Sequence, residues 1–148
     1  MYHSSLDNFA DLTIYMTGGN LKDSYTNKCE RYDIRKNSWT NGPAMNERRS
    51  SHCSCVLGNH VYVFGGYDVE VKNSLERLNA MRDILSHDAQ WESMQVSAEA
   101  IKPRVNAVFV PVNRNKILVM GGLGDSRISD ICAYDLSKKR GNLVKDGL

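Results

Sequence analysis

The chain has 148 residues, enough for one ordinary domain with its own core and too few to expect two. Hydrophobic residues make up 41%, and the 11 glycines raise the apolar share to about 48%, the composition of a globular chain rather than a disordered one. Nineteen basic against seventeen acidic residues give a net charge of +2 with the signs interspersed, which suggests neither nucleic acid nor an anionic membrane as partner.

Apolar runs such as residues 61–64 and 117–120 are far shorter than the roughly 20 residues needed to cross a bilayer. Residues 1–11 are mostly polar with scattered aromatics, unlike a secretory leader. Four cysteines (Cys29, Cys53, Cys55, Cys132), with no Asn-x-Ser/Thr sequon, fit a reducing compartment, so a cytoplasmic location is expected.

In chain order, a first strand-like run, Leu12-Thr13-Ile14-Tyr15-Met16-Thr17, ends in Gly18-Gly19, and Tyr32-Asp33 and Trp39 follow it. A segment rich in small residues opens at Arg49 and runs to Leu57. It leads into His60-Val61-Tyr62-Val63-Phe64-Gly65-Gly66, then Leu78-Asn79 and Trp91. A second segment opens at Arg104 and precedes Lys116-Ile117-Leu118-Val119-Met120-Gly121-Gly122, then Tyr134-Asp135. The first glycines stand 47 and 56 residues apart, and the Tyr32, Leu78 and Tyr134 positions lie 13, 12 and 12 residues after the second glycine of each pair. This is an internal repeat of about 50 residues built from short strands. Paired glycines at a strand exit supply positive φ and close backbone approach, and Trp39 and Trp91 each bring a large apolar face for packing between units.

The register predicts units over about 12–40, 49–94 and 104–136, followed by a polar tail over 137–148. The first unit has no counterpart of the arginine-opened strand, and the third lacks an outer strand with Trp. In the second, Trp91 falls about six residues late, and the irregular stretch after Leu78 is expected to be a loop, although its apolar spacing also fits one face of a helix. The expected fold is all-β: a partial propeller of about two and a half four-stranded blades. Propellers close with about four to eight blades, so further blades, from a longer chain or from another copy, are expected to be needed.

These landmarks resemble the kelch motif, most closely over residues 43–66 and 24–39, where Arg49, His52, Tyr62, Gly65, Gly66, Tyr32, Asp33 and Trp39 stand at the family's positions. The resemblance implies a non-catalytic module that binds a protein partner, as in the target-binding part of cullin-RING ubiquitin-ligase adaptors; a cytoskeletal, actin-associated scaffold is equally compatible. By the same resemblance Arg49, Ser50 and Arg104 would line the propeller mouth, where a guanidinium fork suits an acidic peptide. Their other reading is arginines bonded to loop carbonyls. Tyr67-Asp68 and the loop after them are expected among the connections that touch a partner.

No catalytic motif surrounds the four histidines, and a copper oxidase on a propeller would need His and Tyr ligands converging on one mouth. Cys53 and Cys55 share one face of a strand while His52 takes the other, a poor metal geometry. The glycine-rich stretch from Gly121 to Ser126 lacks the Lys-Ser/Thr of a phosphate loop and reads as a turn. The expectation is therefore no enzyme, no cofactor and no metal.

Overall fold

The computed structural model describes the backbone of residues 8–9 and the whole of residues 12–22 and 24–144. The first unit comprises β1 (Asn8–Phe9), β2 (Thr13–Thr17), the hairpin β3 (Asn20–Leu21) and β4 (Ser24–Tyr25), β5 (Cys29–Asp33) and β6 (Ser38–Asn41). The second comprises β7 (Cys53–Leu57), β8 (His60–Phe64), the hairpin β9 (Tyr67–Asp68) and β10 (Glu70–Val71), β11 (Leu75–Asn79), helix α1 (Ala80–Ser86) and β12 (Glu92–Met94). The third comprises β13 (Val108–Asn113), β14 (Lys116–Met120), β15 (Ile131–Asp135) and β16 (Arg140–Leu143). Each unit forms one antiparallel four-stranded sheet, ordered β1-β2-β5-β6, β7-β8-β11-β12 and β13-β14-β15-β16. These are consecutive blades of a partial β-propeller.

Side chains alternate between the two faces of each blade, so neighbouring blades stack through two apolar layers. Between blades one and two lie Tyr15, Cys29, Val61, Val63, Leu78 and Trp91. Between blades two and three lie Cys53, Cys55, Tyr62, Phe64, Phe109, Ile117, Cys132 and Tyr134, with Phe64 and Phe109 stacked at 6.0 Å. Trp91 is 4% exposed and donates its indole N–H to the Pro43 carbonyl at 2.8 Å. Trp39 faces away from blade two, leans on Tyr32 with ring centroids 5.0 Å apart, and is 52% exposed.

Three expectations change at the level of strands. Blade one does have a strand before β2, because Asn8 and Phe9 pair with Ile14 and Thr13. Blade three does have an outer strand inside the stretch expected to be a polar tail: β16 pairs with β15, and Gly141 sits opposite Tyr134 where Trp39 sits opposite Tyr32. A Cβ on Gly141 would come within 2.6 Å of Ile101, a fully buried residue, so Ile101 from the connection between blades fills the volume a Trp would take. Among the described residues the four-stranded sheets thus number three, the partial propeller expected at about two and a half blades. The stretch after β11 is not an open loop but a helix, capped by the Asn79 side chain accepting from the Arg82 N–H and closed by His87 in the left-handed conformation. Asp83 of that helix accepts from the Tyr15 hydroxyl at 2.9 Å and pairs with Arg31 at 3.3 Å, which fastens the insertion of blade two onto blade one.

Glycine is required where blades meet. Gly65 has φ +68°, and a Cβ there would lie 2.4 Å from the Arg104 carbonyl, whereas Gly58, at φ +60°, has nothing within 4 Å. Gly58→Ala should therefore cost only the left-handed conformational term, about 1–2 kcal/mol. Gly65→Ala should cost clearly more, because a backbone carbonyl must also retreat. Paired urea titrations check this, and equal midpoint losses would contradict the clash.

Candidate functional site

The two arginines predicted to meet a partner are interior. Arg49 is 0% exposed and donates to the Gly65 carbonyl at 2.7 Å, the Ser74 carbonyl at 3.3 Å, the Ser74 hydroxyl at 3.1 Å and the Glu76 carboxylate at 2.6 Å. Arg104, 1% exposed, donates to the Lys102 and Gly121 carbonyls, both at 3.0 Å, and forks onto Asp130 at 2.6 and 3.2 Å. Each guanidinium thus grips the first-glycine carbonyl of its own blade. Each arginine's backbone carbonyl accepts from the second glycine of the preceding blade: Gly19 N–H to Arg49 at 2.9 Å and Gly66 N–H to Arg104 at 3.0 Å. Neither guanidinium reaches the mouth, which corrects the expectation that they contact a partner directly. Burial without counter-charges would be prohibitive, so Glu76 and Asp130 are as necessary as the arginines.

Around these pins the loops at one end of the blades converge. The residue after each glycine pair (Asn20, Tyr67, Leu123) reaches the same place, and the residue after each arginine bridges to it: Ser50 pairs with Tyr67 and Val105 with Leu123. They line a recess of ≈ 420 Å³ together with Tyr25, Ser51 and Val71, and the Tyr25 and Tyr67 rings meet edge to face at 5.4 Å. A second, wider cleft of ≈ 850 Å³ adjoins it past Tyr67 and Val71, with Lys102 and Arg127 set among Glu70, Asp125 and Asp130. Of Tyr67-Asp68 and the loop after them, Tyr67, Val69, Glu70 and Val71 line these two recesses, whereas Asp68 lines neither and pairs with Arg48 at 3.2 Å. Ser50 lines the recess, although it is largely buried and its hydroxyl points to the Tyr67 carbonyl at 3.4 Å. Asn20, Tyr25, Ser51, Val105 and Leu123 were not singled out from sequence. The signal for three of them was the fixed position directly after a glycine pair or an arginine.

Cys53 and Cys55 face blade three while His52 turns toward blade one, where its Nε2 lies 2.9 Å from the Thr17 hydroxyl. None of the four cysteines is in a disulfide, and all are buried. Burial pushes the Cys29 and Cys53 thiols up to about 12, far from a reactive thiolate. The recess therefore offers aromatic edges, methyl groups, hydroxyls and backbone polar groups, a surface suited to a peptide.

Two predictions follow the geometry. Arg49→Ala leaves Glu76 buried without its cation and should cost roughly 3–5 kcal/mol. Arg77→Ala, at the half-exposed Arg77–Glu92 pair of blade two, should cost under about 1 kcal/mol; denaturant unfolding distinguishes the two. Burial, with the Arg49 cation beside it, also lowers the His52 pKa to about 3. The unfolded chain takes up that proton near pH 6.5 and the folded chain does not, so this residue's contribution to stability falls as pH drops from about 6.5 toward 3. His52→Gln should reduce the slope of the stability profile between pH 6.5 and 5, leaving the part due to His60, whose pKa burial also lowers, and an unchanged slope would count against the burial argument.

Comparison with known proteins agrees with the geometry. The KLHDC2/KLHL20/DRC7 Kelch-repeats domain matches residues 2–144. Kelch-like protein 26 of Danio rerio is 27% identical over 130 residues, covering 86% of this chain and 20% of that protein. A putative F-box/kelch-repeat protein of Arabidopsis thaliana is 33% identical over 129 residues, covering 86% of the chain and 33% of that protein. Kelch repeat protein M-T8 of Myxoma virus (strain Lausanne) is 34% identical over 55 residues, 37% of the chain and 11% of that protein. The chain thus spans a third or less of the length of these relatives.

Proposed function

The chain belongs to the kelch-repeat family, and from that membership we propose that it works as a protein-interaction module whose partner seats a peptide segment in the loop-lined mouth. The observation that carries this reading is the recess itself. Three successive repeats deliver equivalent loop positions to one spot, where Tyr25, Tyr67, Val71, Val105 and Leu123 make an apolar socket rimmed by serine hydroxyls. An apolar side chain of the partner fills the socket, and its backbone bonds to the rim.

The finer assignment within this proposal is the target-binding part of a cullin-RING ubiquitin-ligase adaptor in a reducing, intracellular compartment. The likeness to a kelch-like protein and to F-box/kelch-repeat proteins supports it, as do four buried thiols outside any disulfide. An acidic segment of the partner would meet Lys102 and Arg127 in the wider cleft, because Arg49 and Arg104 are occupied within their blades. No catalytic step is assigned to the mouth.

Quantitative affinity capture with the wild-type chain and with Leu123→Arg tests the module reading. Proteins that depend on the mouth should be depleted at least tenfold by Leu123→Arg and retained by Lys36→Ala, a change on the turn between β5 and β6. Capture profiles identical for all three chains would remove the mouth from the proposal.

A further inference from the structure

The hairpin of β9 and β10 in blade two turns on Val69, which has φ +66° and, at 80% exposed, is the most open large apolar side chain among the described residues. Both properties are unfavourable in the free chain. In the left-handed region the Cβ crowds the following carbonyl oxygen, worst for a β-branched residue, and the isopropyl group stays in water. Seven described non-glycine residues have positive φ, and the other six are all polar: Lys22, Asn37, Ser51, His87, Asn106 and Lys139. The repeat sharpens the contrast. The hairpin of β3 and β4 in blade one turns at Lys22, and the turn closed by the Leu123–Arg127 bridge in blade three holds Gly124, Asp125 and Ser126. Backbone needs favour Gly, Asn or Asp at such a tip, and valine has no local reason to stand there.

Blade two has blade one packed on one side and blade three on the other, so a missing adjacent blade does not explain the exposure. What surrounds Val69 is the wider cleft, which it lines with Val71, Pro103 and Ile128 and with Lys102 and Arg127, two cations whose side chains make no ion pair among the described residues. This cleft runs into the loop-lined recess, because Tyr67, Val71 and Gly124 line both. Val71 pairs with Tyr67 at the base of the hairpin and Val69 forms its tip, so apolar groups continue from the socket outward along one hairpin.

We infer that Val69 is a second anchor of the interaction site: the peptide segment seated in the mouth continues over the hairpin of β9 and β10 and lays a second apolar side chain against Val69, Val71 and Ile128. A strained residue at a tip points to a role outside the fold, and here contact with the segment takes the exposed isopropyl group out of water. The hairpin already holds the valine forward, so little further ordering accompanies binding. The inference rests on the interaction-module reading and adds the character of the partner: two apolar side chains instead of one, the second flanked by Lys102 and Arg127.

Val69→Asn tests this, because Asn accepts the left-handed conformation and lacks the isopropyl group. Its urea midpoint should lie above that of the wild type, and a lower midpoint would overturn the inference by showing that the valine serves the fold. Binding is read by selecting phage-displayed random dodecapeptides on the immobilised 148-residue chain. Wild type should enrich a consensus with two apolar positions. Those peptides should bind Val69→Asn at least tenfold more weakly and Val69→Ile about as well as wild type, and selection on Val69→Asn should retain one of the two positions. Equal affinity and the same consensus for wild type and Val69→Asn would overturn the inference; if Leu123→Arg still abolishes binding in that case, the mouth reading stands without it. Peptides that bind Leu123→Arg as well as wild type, or no enrichment by the wild type, would remove both.

Discussion

Everything in this molecule depends on an arginine that is shared between two blades. Arg49 and Arg104 each put a guanidinium on the first-glycine carbonyl of their own blade and offer their backbone carbonyl to the second glycine of the blade before. The contact works only if the glycines hold positive φ and carry no Cβ, and only if a carboxylate, Glu76 or Asp130, neutralises the buried charge. One side chain therefore sets the spacing of the sheets, the exit direction of the strands and the position of the loops that follow the glycine pairs.

The mouth is a consequence of that arrangement. Because Ser50 and Val105 come directly after the pinned arginines and bridge to Tyr67 and Leu123, the recess inherits its shape from buried ion pairs beneath it. Loops that carry recognition are usually more variable than their scaffold, and here the rim can change residue type while its backbone stays where the pins hold it. The insertion after β11 uses the same logic at the outer side: Asp83 reaches back to Tyr15 and Arg31, so additional residues in blade two add a contact with blade one instead of a loose loop.

Much of this was legible in the chain before folding. Glycine pairs, the Tyr or Leu position 12 or 13 residues later, and the arginine-opened segments marked three repeats, and the strands that end at each glycine pair and those through Tyr32, Leu78 and Tyr134 lie where they were read. The unread parts were those in which backbone pairing does not need a signature residue. Asn8–Phe9 and Arg140–Leu143 are strands because a neighbouring edge was available, and Gly141 replaces a Trp because Ile101 arrives from a different part of the chain to fill the space. The helix at Ala80–Ser86 lies in a stretch read as a loop, although its apolar spacing also fits one face of a helix; the Asn79 cap and the contacts of Asp83 with Tyr15 and Arg31 hold it in place.

By itself the sequence determined the repeat, its period, the all-β class and the positions of the glycines, because these follow from local backbone preference and the alternation of side chains along a strand. Only the tertiary structure decided what the arginines do. A cation at a strand entrance suits a solvent-facing ligand contact and a buried pin equally well, and the choice depends on whether Glu76 or Asp130, each 26 or 27 residues further on, folds back within reach. The socket made by Tyr25, Tyr67, Val105 and Leu123 was likewise invisible, since its walls come from three repeats and meet only when the blades stack.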